Sequence, residues 1–136
     1  MTPSPVEAHT RLEDLDTLNA SQGPGTYAIV VSVPNGVESV QRTWLDAIGA
    51  PLPDEYADQL AAAETCLYVG RSGDVYDRLM DHARGDVRRA SFVRAFGMAD
   101  VHGVWPDDAN TGVAERNRAR SLSSATTCVW CDGELF

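Results

Sequence analysis

The sequence predicts a small α/β domain built on a three-stranded sheet flanked by helices. Three short runs rich in β-branched and apolar residues, 26–33, 66–70 and 98–105, each lead into a turn containing Gly or Pro. The stretches between them carry apolar residues at helical rather than alternating spacing. A chain of 136 residues with 43% hydrophobic and 23% charged side chains can bury one core without disulfide or metal staples.

Residues 5–20 place Val6, Leu12, Leu15 and Leu18 roughly on one helical face, and Ser21-Gln22-Gly23-Pro24-Gly25 ends that helix. Tyr27-Ala28-Ile29-Val30-Val31-Ser32-Val33 reads as a buried strand, stopped by Pro34-Asn35-Gly36. Residues 37–64 form two helices, one centred on Val40-Gln41-Arg42-Thr43-Trp44-Leu45 and one over 53–64. The second strand is 66–70. A helix over 75–84 follows, with Asp74 as N-cap, Gly85 as stop, and Val75, Leu79 and Ala83 as core stripe. The next helix, 86–96, offers Val87, Phe92, Val93 and Phe96 to the core. The third strand is 98–105, a last helix spans 112–124, and Thr127-Cys128-Val129-Trp130 adds at most a short strand. The chain divides into an N-terminal helix and linker (1–24), a central domain (25–124) with a helical insertion (34–64), and a tail (125–136).

Twenty acidic residues face eleven basic ones, and every basic residue is Arg. Such a surface suits a very salty cytoplasm, where carboxylates keep a protein soluble while repulsion is screened. A GC-rich genome favouring Arg, Ala, Gly and Asp codons leads to the same composition. Residues 71–120 hold nine Arg and eight acids, the rest two Arg and twelve acids. No apolar run approaches the ~18 residues of a membrane span. The N-terminus lacks the basic start and apolar core of a secretory signal. A cytoplasmic protein without a membrane partner is expected.

Cys66, Cys128 and Cys131 are too few for a disulfide framework. Cys128-Val129-Trp130-Cys131 has the spacing of half a zinc site, but a structural zinc takes four ligands. Two semi-buried thiols are the plainer reading.

The most informative stretch is Tyr68-Val69-Gly70-Arg71-Ser72-Gly73-Asp74-Val75-Tyr76-Asp77-Arg78-Leu79-Met80-Asp81-His82. Arg78 and His82, four apart, rise from one side of the 75–84 helix, and Tyr68 closes the strand before it. A phenol, a guanidinium and an imidazole together can stabilise and deprotonate around a phosphodiester.

On these residues the chain resembles the GIY-YIG nuclease family. Gly25-Thr26-Tyr27 stands where that family has its first tripeptide and Tyr68-Val69-Gly70 where it has its second. Asp74, Arg78 and His82 match its helix cap, its Arg ten residues beyond the Tyr, and its following His. Glu115 matches the Glu of a later helix. The resemblance covers 25–124 and implies a three-stranded antiparallel sheet in an endonuclease that cleaves DNA with one Mg²⁺ or Mn²⁺. It implies Glu115 as the metal ligand and Arg78 as neutraliser of phosphoryl charge. Tyr27 or Tyr68, with His82, would position or deprotonate water. Arg71, Arg84, Arg88, Arg89 and Arg94 are the expected DNA contacts. Two departures stand out. Forty residues separate Tyr27 from Tyr68, where the family has a short hairpin, and no second DNA-binding domain fits. A protein partner or a homo-oligomer would then supply targeting. Trp44 and Tyr56 in the insertion either stack on bases or anchor the core.

Each residue also has an ordinary explanation. Tyr27 and Tyr68 fit a strand core, Arg78 can pair with Asp74 or Asp81, and Glu115 with Arg118 or Arg120. A second expectation is therefore a catalytically idle module that binds nucleic acid or a protein through its inserted helices.

Overall fold

The structure, a computed structural model, describes residues 2–85 and 90–136. Its order is α1 (Pro5–Asp14), α2 (Leu18–Ser21), β1 (Gly25–Val31), α3 (Val37–Ile48), α4 (Asp54–Ala62) and β2 (Thr65–Ser72). There follow α5 (Val75–Arg84), α6 (Ser91–Phe96), β3 (Met98–Trp105), α7 (Gly112–Leu122), β4 (Thr127–Cys131) and β5 (Glu134–Leu135). No helix among the described residues is long and apolar enough to cross a membrane.

The strands form one five-stranded mixed sheet in the order β3-β1-β2-β4-β5. The expected three antiparallel strands are its first three members, with β1 central between β2 and β3. The expectation of a sheet of three is corrected by the tail. Thr127–Cys131 lies parallel to β2, with Cys66 opposite Cys128 and Tyr68 opposite Trp130. It then folds back through Asp132-Gly133 onto β5. Both turn residues have positive φ, 49° and 82°, the backbone of a type I′ hairpin. Four of the five β4 residues are buried, so this short strand is interior and needs cover on both faces.

That cover comes from two layers. Tyr27, Ile29 and Val31 meet α1, α3, α4, α5 and α6 on one face, through Leu12, Val40, Trp44, Leu60, Leu79 and Phe92. Ala28, Leu67, Val69, Val129 and Cys131 meet Ala119 of α7 on the other. Near-continuous burial along β1 explains its unalternating sequence. The inserted helices are anchored by Trp44, whose ring lies 6.1 Å from Phe96 and 5.5 Å from Trp130. Gln41 ties the connection between them, donating to the Leu52 carbonyl at 2.6 Å and accepting from its N–H at 3.2 Å.

Other expectations shift locally. The helix expected over 5–20 breaks after Asp14, and Asp16 adopts a φ of 57° before the single turn α2. Val6, expected on the core face, is exposed. The expected start of the helix over 86–96, with Val87, Arg88 and Arg89, lies outside the described residues, and α6 begins at Ser91. Cys128 and Cys131 point to opposite faces of the sheet, so the CxxC pair does not converge on one ion.

One polar cluster fixes α7 to the sheet. Arg118 grips Asp108 with two hydrogen bonds, 2.8 and 3.1 Å, and lies over the Trp105 ring at 4.4 Å. The buried Thr26 hydroxyl donates to the same carboxylate at 2.5 Å. Arg118 holds the Asp108 carboxyl below its ordinary value. Its stabilisation is therefore present above about pH 4, the unfolded carboxyl's range, and lost as pH falls through the lower folded value. Asp108→Ala is expected to cost about 1–3 kcal/mol at neutral pH. Urea unfolding of both proteins should show this gap narrowing in acid, and a gap independent of pH would contradict the assignment.

Candidate active site

The site begins with register. Tyr27 on β1 faces Gly70 on β2, and Tyr68 lies two residues along on the same face. The Tyr27 ring crosses directly over Gly70, where any Cβ would collide with the phenol. A Gly is required there by this close approach. Helix α5 packs on that face. Asp74 caps it, its carboxylate accepting from the Asp77 N–H at 3.2 Å. One turn apart, Arg78 and His82 then point at the two phenols.

Tyr27 Oη and His82 Nε2 share a hydrogen bond of 2.8 Å, with both side chains 1% exposed. His82 also meets Tyr68 edge-on, ring centres 5.6 Å apart, and the two tyrosines lie 6.4 Å apart. Burial raises the Tyr27 phenol above its ordinary value, while the charge of Arg78 and a hydrogen bond with it pull the other way. Burial, reinforced by the negative charge of Glu115, pushes Tyr68 up to about 12. Burial, then Arg78, pushes His82 down to about 3. The imidazole is neutral at pH 7, and its buried Nδ1 has no hydrogen-bond partner among the described residues.

Glu115 reaches this group from the opposite layer. β4 pairs with β2 only as far as Tyr68, whereas β2 runs on to Ser72. The end of β4 thus leaves a notch beside residues 69–72 of β2. Through it Glu115, on the first turn of α7, joins Tyr68 at one cleft of ≈ 370 Å³. Trp44, Trp130 and Asp132 line the same cleft. The Cys131 thiol donates to Glu115 Oε1 at 3.4 Å, and Arg71 Nε lies 3.9 Å from Oε2. Burial raises the Glu115 carboxyl above its ordinary value, against the Cys131 hydrogen bond and the Arg71 charge.

The structure therefore brings together Tyr27, Tyr68, Arg78, His82 and Glu115, with Arg71 at the rim. Arg84 does not join them. It pairs with Asp81 at 3.5 Å and lines a separate cleft with Pro5, Val6 and Tyr76. Arg94 is exposed on α6, and Arg88 and Arg89 lie outside the described residues. Asp132, missing from the sequence-derived set, sits beside Glu115 because of the β4–β5 hairpin, for which Asp132-Gly133 was a readable turn signal.

Among the described residues no group of three or more His, Cys, Asp and Glu side chains gathers to hold a metal. Glu115, with Asp132 beside it, instead offers one or two carboxylates in an open cleft. That donor set fits a hard cation which keeps water ligands and takes the rest from a substrate phosphate, as Mg²⁺ does. It does not fit a closed structural site.

Compared with protein-family models, curated proteins and solved structures, the chain matches none.

The buried neutral imidazole has a measurable consequence. Below about pH 6.5 the unfolded chain binds a proton at His82 that the folded protein refuses, so stability falls with acid from that point down to about 3. Between about pH 6.5 and 5 the loss attributable to this group is about 2 kcal/mol. His82→Gln should flatten this slope in chemical denaturation, whatever its own stability at neutral pH. Gly70→Ala is expected to destabilise by about 3 kcal/mol or more, since it drives the Tyr27 ring off its seat. A melting temperature equal to that of the parent protein would refute that packing.

Proposed function

We propose that this protein is a GIY-YIG-type endonuclease that hydrolyses DNA phosphodiester bonds with Mg²⁺ or Mn²⁺. The observation that carries the reading is the convergence of five side chains, from β1, β2, α5 and α7, at one face and one notch. Ordinary packing does not require a phenol–imidazole pair, an arginine and a carboxylate to meet there.

Water attacks phosphorus as the bond to the leaving oxygen breaks, its proton passing to bulk water while the leaving oxygen takes one from bulk water. Glu115 would hold the cation, which when bound supplies Lewis-acid stabilisation of the phosphoryl oxygens. Arg78 faces both phenols and supplies a fixed positive charge to the developing negative one. Tyr68 is the phenol that the cleft reaches, and so the one to orient the attacking water. Tyr27 and His82 sit behind it as a neutral hydrogen-bonded pair that fixes the floor of the site. Arg71, 44% exposed beside Glu115, takes a phosphate oxygen at the rim. We read the acidic, Lys-free composition as suiting the enzyme to a salt-rich cytoplasm.

The test is cleavage of plasmid and branched DNA with Mn²⁺ at low and at molar KCl. Arg78→Ala and Glu115→Gln are each expected to lower the rate by about 10²–10³ while far-UV circular dichroism stays unchanged. Full activity in the Glu115→Gln protein would overturn the metal assignment. Absence of cleavage by folded parent protein at every salt would leave the idle binding module instead.

A further inference from the structure

The mechanism uses Tyr68 and Glu115 but leaves the rest of their cleft unexplained. Its volume of ≈ 370 Å³ falls in the range of pockets that hold one small organic ligand, about 300–1,000 Å³. Two walls are indoles from parts of the chain outside the phenol–imidazole group. Trp44 comes from the inserted helix α3 and Trp130 from β4. Both are largely buried, at 7% and 8% exposure, and Phe92 stacks on Trp130 at 4.9 Å and 9°. The two indoles also pack on each other, ring centres 5.5 Å apart and tilted by 47°, so these walls are held in place by the core. The polar lining consists of acceptors and hydroxyls: Glu115, Asp132, Tyr68 and Ser91. No Arg lines the cleft among the described residues.

Away from a Glu115-bound cation, this acceptor-rich lining favours a neutral planar group bearing N–H donors over a second phosphate. Arg71 and Arg78 flank the Glu115–Tyr68 edge, so an anionic backbone would lie there with its base turned inward. Asp132 is well suited to read such a base. It stands on a hairpin turn with 73% of its side chain exposed, and its recorded ion-pair contact is Arg116 at 4.0 Å, the outer limit of such a pair. A carboxylate accepts from the exocyclic amine of cytosine and faces a repelling carbonyl oxygen in thymine.

We propose that this cleft is a nucleobase pocket that takes one unpaired, amino-bearing base of the strand to be cut. Trp44 and Trp130 form its walls, and Asp132 reads the amine. The proposal rests on the reading of the protein as acting on DNA and gives that reading a substrate class. A base inside a duplex cannot enter without leaving the stack, so frayed, branched or single-stranded DNA is preferred over perfect duplex. The inserted helical pair then has a role, because α3 supplies one wall.

The experiment is a tryptophan-fluorescence titration in EDTA, where no metal-dependent cleavage occurs, using short oligo(dC), oligo(dT) and a blunt duplex. Oligo(dC) is expected to bind about tenfold or more tightly than oligo(dT) or duplex. Asp132→Asn keeps a residue that tolerates positive φ and should abolish the preference. Equal binding of all three DNAs, or a preference that survives Asp132→Asn, would overturn the pocket. The two readings fail separately. Glu115-dependent cleavage without a base preference removes the pocket and keeps the nuclease. A base preference that Asp132→Asn abolishes, without cleavage, keeps the pocket and removes the chemistry.

Discussion

The site depends on one close approach, the Tyr27 ring lying across the backbone at Gly70. It fixes the phenol at the level of α5, where His82 completes a hydrogen bond that neither group could find in apolar surroundings. It also aligns Tyr68 on the same face, two residues along the partner strand. A slip of one residue between β1 and β2 would put the two phenols on opposite faces of the sheet and separate them. The core on that face, from Leu12 through Trp44 to Leu79, opposes such a slip by binding the apolar residues of the same register. Packing and site geometry are thus one constraint.

The second requirement is that Glu115 cross from one layer to the other. A continuous sheet would block it. The sheet is interrupted where β4 ends at Cys131 and the hairpin turns back at Asp132 and Gly133. The Arg118–Asp108–Thr26 cluster sits about one turn along α7 from Glu115 and ties that helix to β1 and to the loop after β3. Position and direction of the carboxylate therefore derive from two polar anchors, the Asp108 grip and the Cys131 thiol.

The local parts of this arrangement were legible in the sequence. Asp74 and Gly85 bound α5, the four-residue step pairs Arg78 with His82, and the apolar runs mark the first three strands. The missing parts are those fixed by distant pairings. Nothing in Thr127–Cys131 says which strand it will join, because a buried parallel strand reads only as a short apolar run. With β4 unplaced, the notch, the indole pair and Asp132 had no location. The break at Asp16 was hidden for another reason: a left-handed Asp interrupts a helix without the Gly or Pro that usually signals it. Arg84 looked like part of the charged segment, but it lies along α5 toward α1, away from the cleft.

Charge sets the remaining problem. At neutral pH both phenols hold their protons and the imidazole is uncharged, so the fixed positive charge beside them is that of Arg78. An arginine cannot release it. Such a centre attracts an anion only at short range, within a protein whose formal net charge is −9. In dilute salt the whole acidic surface would repel DNA before Arg71 or Arg78 touched it. At about 1 M salt the screening length shrinks to roughly 3 Å, which removes that repulsion and spares only contacts made at hydrogen-bond distance. Counterion release then adds little to affinity, and shape and stacking have to supply the rest. On the proposed reading, an indole-walled cleft beside Glu115 and Asp132 would meet that demand, and an Arg patch alone would not.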